Sequence, residues 1–146
     1  MFKHILIATD GSPVANKAAR AGIALATRLG AKVTAYSAVE QLQAVAFEGY
    51  AMDAKTIETF EEQAREAGRK RADTIARMAK AAGVPCASVV TKGSTFYEAI
   101  IEAAKKHRCD LIVMGSHGRR GMPKLIMGSV TQKVLAYTKL PVLVFR

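Results

Sequence analysis

The sequence predicts an α/β fold. It reads as a five-stranded parallel sheet with helices on both faces, a three-layer sandwich formed by a single domain over residues 1–146. Three observations predict it. Short apolar runs of strand length alternate with longer amphipathic stretches along the whole chain. The apolar runs are continuous, as in Ile5-Leu6-Ile7-Ala8 and Leu111-Ile112-Val113-Met114, which is the pattern of strands covered on both faces. Glycines and helix-capping residues fall at the joints. The chain has the length of one domain, and half of its residues are apolar, enough to build a core.

The elements follow in order. Residues 3–9 form the first strand, which ends in Asp10-Gly11-Ser12-Pro13. Ser12 is placed to cap a helix, and Pro13 suits its first position because no N–H is needed there. That helix runs to about Leu29, with Ala18, Ala21, Gly22, Leu25 and Leu29 on one face, and Gly30 stops it. Residues 32–39 are the second strand. Residues 40–54 are the least regular part, read as a plain connection, with a lid beside the sheet edge as the alternative. A long helix from about Lys55 to Ala82 sets Ile57, Phe60, Ala64, Ala67, Ile75, Met78 and Ala82 at three-and-four spacing, and Gly83 ends it. Val84 to Thr91 is the third strand, and Lys92-Gly93-Ser94 turns the chain. Thr95 and Glu98 fit a capping box for a helix that reaches His107 and buries Tyr97, Ile100, Ile101 and Ala104. Leu111 to Met114 is the fourth strand, Ser129 to Tyr137 the last helix, and Leu140 to Phe145 the fifth strand.

Composition narrows the function. No apolar run approaches the roughly 20 residues that span a bilayer. The opening run to Asp10 is too short for a secretory signal, so a cytoplasmic protein without a membrane partner is expected. Cys86 and Cys109 fit a reducing compartment and are expected to be buried free thiols. His4, His107 and His117 show no metal-binding spacing. The formal charge of +10 favours anionic partners. Nucleic acid is the least favoured of these, because 6% aromatic residues is meagre for a base-stacking surface.

The functional signal lies between Asp110 and Thr131. A strand runs into Gly115-Ser116-His117-Gly118, then into the cations Arg119, Arg120 and Lys124, then into Gly128-Ser129 at a helix start. Backbone N–H groups and the positive helix end can face an anion there, and glycines let phosphate approach closely. Two residues lie between Gly115 and Gly118, and nine between Gly118 and Gly128. The Walker A spacing fails after Gly11, where Asn16-Lys17-Ala18 stands, and Asp10-Gly11-Ser12-Pro13 lacks the dinucleotide glycines. No nucleophile elbow, carboxylate pair or Ser-His-Asp arrangement is evident.

This spacing resembles the nucleotide-binding signature of the universal stress protein family, in its ATP-binding branch. The resemblance covers the chain from Lys3-His4-Ile5-Leu6-Ile7-Ala8-Thr9-Asp10-Gly11-Ser12 to Leu140-Pro141-Val142-Leu143-Val144. It implies the strand order 3-2-1-4-5, which puts the ends of strands 1 and 4 at a topological switch where ligands bind. It implies ATP, with Mg2+, as the ligand. Asp10, flanked by Ala8 and Thr9, is assigned to the nucleoside, where its carboxylate can accept from ribose hydroxyls or an adenine amine. The local alternative is an Asx turn onto Ser12. Ala38 matches a position whose backbone meets adenine, although a branched residue is common there. Met114 and Gly115 would border the ribose. Gly118 and Gly128 would turn N–H groups to phosphate, with Ser129, Val130 and Thr131 adding first-turn donors. His117 would take part through its backbone, and Arg119 or Arg120 would neutralise the outer phosphates.

The expected function is an ATP-binding, nucleotide-gated regulatory module of the stress response, read by a protein partner that the sequence does not identify. The resemblance also implies a homodimer through residues 141–145, and an apolar strand at a sheet edge invites such pairing. Three alternatives stay open: a slow ATP hydrolase or autophosphorylating enzyme, a basic nucleic-acid-binding protein, and a scaffold with a vestigial nucleotide site.

Overall fold

The computed structural model describes residues 1–41, 52–118 and 127–146. Along these the order is β1 (His4–Ala8), α1 (Pro13–Leu29), β2 (Lys32–Glu40), α2 (Ala54–Ala81), β3 (Cys86–Gly93), α3 (Phe96–Lys106), β4 (Leu111–Gly115), α4 (Ser129–Tyr137) and β5 (Val142–Phe145). The five strands form one sheet in the order β3-β2-β1-β4-β5, as expected. Every neighbouring pair is parallel. Residues 42–51 of the expected connection lie outside the described residues.

The continuous apolar runs have the predicted meaning. All five residues of β1 and all five of β4 are buried. Ile5, Ile7, Val33, Ala35, Leu111 and Val113 face α1 and α2. Leu6, Ala8, Tyr36, Ile112 and Met114 face α3 and α4. Burying an Ile or Leu side chain stabilises by about 1.5–3 kcal/mol, so the two central strands anchor both layers.

Ser12 caps α1 as expected, its Oγ accepting from Ala15 N at 3.1 Å, with Pro13 in the first turn. Three helices end in one pattern. After α1, Gly30 is left-handed (φ 64) and Ala31 N donates to Ala26 O at 2.9 Å. After α2, Gly83 is left-handed (φ 69) and Val84 N donates to Ala79 O at 2.9 Å. After α3 the same role falls to Arg108 (φ 55), with Cys109 N donating to Ala104 O at 2.8 Å. This closure satisfies carbonyls that the helix end would otherwise leave bare.

Several expected details differ. On α1 the buried face is Ala15, Ala18, Ala19, Gly22, Ile23 and Ala26, while Ala21, Leu25 and Leu29 are half-buried. Gly22 sets that face: a Cβ there would lie 3.0 Å from Ile7 Cδ1 and 3.2 Å from Val113 Cγ1. On α2 the buried residues are Gly68, Ala72, Ile75 and Ala79, and Phe60 and Ala82 are exposed. A Cβ on Gly68 would lie 2.6 Å from Val39 Cγ1, so the helix sits on the sheet through its smallest residue. Asp53 caps α2 by accepting from Thr56 N at 2.9 Å. β3 begins at Cys86 because Val84 belongs to the closure of α2, and it continues through the expected turn at Lys92-Gly93. The Thr95 side chain makes no cap bond to α3, and Glu98 accepts from Tyr97 Oη at 3.0 Å, so the capping box is not formed. Cys109 is buried and Cys86 only half-buried; both are free thiols. Burial pushes both thiols up, Cys109 to about 11.

Candidate functional site

The sheet grows outward from β1 in two directions, through β2 to β3 and, after α3, through β4 to β5. The carboxyl ends of β1 and β4 therefore sit side by side where winding reverses, and open α/β sheets form a crevice there. Asp10 follows one strand and Ser116 the other.

The β1 side is held locally. Thr9 is buried, and its N–H donates to Tyr36 O at 2.9 Å. Gly11 N donates to Thr9 Oγ1 at 3.0 Å, and Ser12 N donates to Asp10 Oδ1 at 3.0 Å. The Asx turn is thus present, and it does not exclude a role in the crevice. It fixes the carboxylate so that Oδ2 lies against Gly118, where a Cβ would come within 2.6 Å of it. A Cβ there would push the Oδ2 end of the Asp10 side chain out of this position.

The β4 side is a folded-back loop. Gly115 packs on α1, where a Cβ would lie 2.8 Å from Val14 Cγ1. Ser116 is buried; its N–H donates to Phe145 O of β5 at 2.6 Å, and its carbonyl accepts from Gly128 N at 2.7 Å. Thr131 Oγ1 donates to Gly115 O at 2.9 Å. Two bonds therefore fasten the start of α4 to the end of β4, which brings residues 115–118 and 127–131 together. The Gly128 N–H, expected to face phosphate, is engaged in this closure. Gly128 serves instead by close approach, since a Cβ there would lie 3.1 Å from His117 Cα. The His117 ring bonds Ser116 Oγ through Nδ1 at 3.0 Å.

The first hydrogen bond of α4 runs from Gln132 N to Gly128 O at 3.0 Å. The N–H groups of Ser129, Val130 and Thr131 come before it, so helix geometry gives them no acceptor within α4. They form a positive end beside the Gly118–Asp10 contact, suited to an anion. Ala8, Met114 and half-buried Ala38 pack in the same layer against α3 and α4. Ala38 lies two residues beyond Tyr36, the partner of Ala8, and so overhangs the end of β1. Arg119, like Arg120 and Lys124, lies outside the described residues.

Two neighbours escaped the sequence reading. Ser116 ties the loop to β5. Arg71 reaches the crevice edge from α2, its Cγ 3.3 Å from where a Cβ on Gly11 would stand. No local signal in the sequence marks that approach, because Gly11 and Arg71 are 60 residues apart and meet only through the packing of α2. Among the described residues no three His, Cys, Asp or Glu side chains converge as metal ligands would, and no helix is long and apolar enough to cross a membrane.

Comparison with known proteins places this geometry. The chain is 35% identical over 147 residues to a universal stress protein of Thermus aquaticus, covering 100% of both. It superposes on the solved structure of protein MJ0577 with a TM-score of 0.79 at 26% identity, covering 99% of this chain and 96% of that one. A universal stress protein solved in complex with cAMP shares the fold, with a TM-score of 0.70 at 23% identity over 99% of this chain and 97% of that one. The model of the universal stress protein family matches residues 1–146, the full length, and the protein therefore belongs to that family.

Proposed function

We propose that the crevice between β1 and β4 binds an adenine nucleotide, ATP with Mg2+, and that the protein is a nucleotide-gated binding module of the stress response. One observation carries this reading: the first-turn amides of Ser129, Val130 and Thr131, which have no acceptor within α4, follow directly on Gly128, whose N–H is fastened to Ser116 O in the glycine loop. The glycine at 118 leaves a cradle that a Cβ would fill against Asp10 Oδ2 at 2.6 Å. In this reading the α4 amides hold the phosphates, the Asp10 carboxylate meets the ribose, and Ala8, Ala38 and Met114 line the base. Arg119 would reach the outer phosphates. Mg2+ supplies charge neutralisation on the phosphates, and few protein carboxylates are needed for that. A protein of the same fold holding cAMP supports an adenine ligand for this architecture.

The module would report its state through the loop. Ser116 bonds both α4 and β5, so anion capture at α4 is linked to the edge strand. We place a homodimer at that edge, β5, where Leu143 is exposed. A 15.7 kDa species in sedimentation at micromolar concentration would count against it.

Amide NMR tests the location. Addition of Mg-ATP is expected to move the signals of Gly118, Ser129, Val130 and Thr131 most. Shifts confined to other surfaces would contradict the site, and rapid phosphate release would point to the hydrolase instead.

A further inference from the structure

The sheet has two edges of unequal length. β5 offers four residues, β3 eight. β3 pairs with β2 in unbroken register from Val33↔Cys86 to Glu40↔Gly93, with no bulge and no proline inside it. Among the described residues nothing pairs with its other side. The carbonyls of Pro85 and Gly93 accept from β2, through Val33 N and Gln41 N. Strand alternation then turns the N–H and C=O groups of Ser88, Val90 and Lys92 outward. A long, flat, unpaired edge is a template for another strand unless a charge blocks it. The one charge on β3 is Lys92, and its ammonium is drawn onto Glu61 of α2.

The excess of positive charge along this edge lies on the α2 side. On the α2 side a groove of about 480 Å³ is lined by Arg65, Arg69, Ser88, Val90 and Lys92, with Asp73 at one end. Among the described residues neither Arg65 nor Arg69 forms an ion pair. On the α3 side a groove of about 500 Å³ is lined by Glu98 and Glu102 together with Lys92, Lys106 and His107, so carboxylates and cations balance there. Arg65 and Arg69 are one helical turn apart, about 6 Å along α2. Residues i and i+2 of an extended strand are spaced by about 6.6–6.8 Å and point to the same side. The two repeats match.

We propose that the β3 edge is a docking site for an extended acidic segment of a partner protein, added as a sixth strand. Its carboxylates, two residues apart, meet Arg65 and Arg69 on the α2 side. The residues between them are small and neutral, because the α3 side, where Glu98 and Glu102 are balanced by Lys92 and Lys106, offers no net charge to pair with. Main-chain bonds to Ser88, Val90 and Lys92 give affinity and the alternating carboxylates give specificity. This inference is independent of the nucleotide reading, and the nucleotide site lies at other residues.

The test uses the full-length protein and a fluorescein-labelled peptide, Thr-Val-Glu-Thr-Glu-Val-Thr. Three companions serve as controls: one with the two glutamates adjacent, one with lysines in their place, and one N-methylated at alternate amides. Fluorescence anisotropy is expected to show saturable binding of the first peptide only. The double variant R65Q/R69Q should bind it at least tenfold more weakly while melting at the same temperature. Hydrogen exchange should slow at Ser88, Val90 and Lys92 on binding. Equal affinity for the adjacent-glutamate or N-methylated peptide would overturn the proposal, leaving unspecific attraction to a basic surface. So would no binding at millimolar peptide. Concentration-dependent protection of β3 without peptide would overturn it in favour of pairing between copies of this chain.

Discussion

The two ends of the central strands treat their polar groups in opposite ways. At the amino end of β1 the groups close on one another. Asp110 accepts from Lys3 N at 2.8 Å and His4 N at 3.0 Å, and the buried His4 ring meets Thr34 Oγ1 at 2.8 Å. At the carboxyl end, glycines hold the chain open and the first-turn amides of α4 have no partner within their helix. Satisfied polar groups at one end contribute stability, while donors at the other that their own helix cannot satisfy are capacity for a ligand. Substitutions at the two ends should therefore separate: one set should move the melting temperature, the other the nucleotide affinity.

The largest expected effect is at the closed end. Asp110→Ala takes a charged acceptor from the exposed Lys3 amide and the part-buried His4 amide, which costs about 2 kcal/mol, within the range for hydrogen bonds to a charged group. Denaturant titration should show that loss, with Mg-ATP affinity unchanged. A fall in affinity as large as the fall in stability would erase the distinction between the ends.

Next is Gly118→Ala. The added Cβ displaces the Oδ2 end of the Asp10 carboxylate from the crevice, so nucleotide affinity should fall about tenfold, or ~1.4 kcal/mol. Gly118 is exposed, so the melting temperature should barely move. Calorimetry and thermal melting on the same sample would check both halves.

Arg108→Gly sharpens the comparison from the stabilising side. Arg108 holds a left-handed backbone (φ 55) that the helix closure requires and that costs a side-chain-bearing residue energy. Glycine there should raise stability by about 0.5–1 kcal/mol without touching the crevice, since relief of αL strain outweighs the entropy of a freer unfolded chain. A lower melting temperature would show that the arginine side chain matters more than its strain.

The smallest effect is the pH response of the closed end. Burial, then the nearby Lys32 charge, lowers the His4 pKa below its ordinary value, so the folded protein prefers the neutral ring. The unfolded chain binds that proton more readily. Stability should therefore be full above about pH 6.5 and decline as pH falls below it. His4→Gln should flatten that decline. An unchanged slope would move its origin to other groups.

Much of the fold was legible because strand burial and helix termination are local. Continuous apolar runs placed β1 and β4, and Ser12, Gly30 and Gly83 marked helix ends through cap chemistry that acts within a few residues. The strand order came from the family resemblance. The helix faces were less legible, because weight fell on Leu25, Leu29 and Phe60. The helices approach the sheet through Gly22 and Gly68, where the absence of a side chain decides the contact. The start of β3 moved because Val84 is used to close α2. In the candidate site the spacing of Gly115, Gly118, Gly128 and Ser129 was plain in the sequence. The division of labour among them was not. That Gly128 N donates to Ser116 O, and that Gly115 is a packing glycine against Val14, depend on how the loop folds back over β4.

The most direct test of the account is calorimetric titration of nucleotide-stripped protein with Mg-ATP and then with AMP. ATP is expected to bind at micromolar strength or tighter, about −8 kcal/mol or better, with AMP much weaker because the α4 amides hold the outer phosphates. Equal binding of ATP and AMP would contradict the assignment of phosphate to α4, and no binding of either would reduce the glycine loop to a structural closure between β4 and α4.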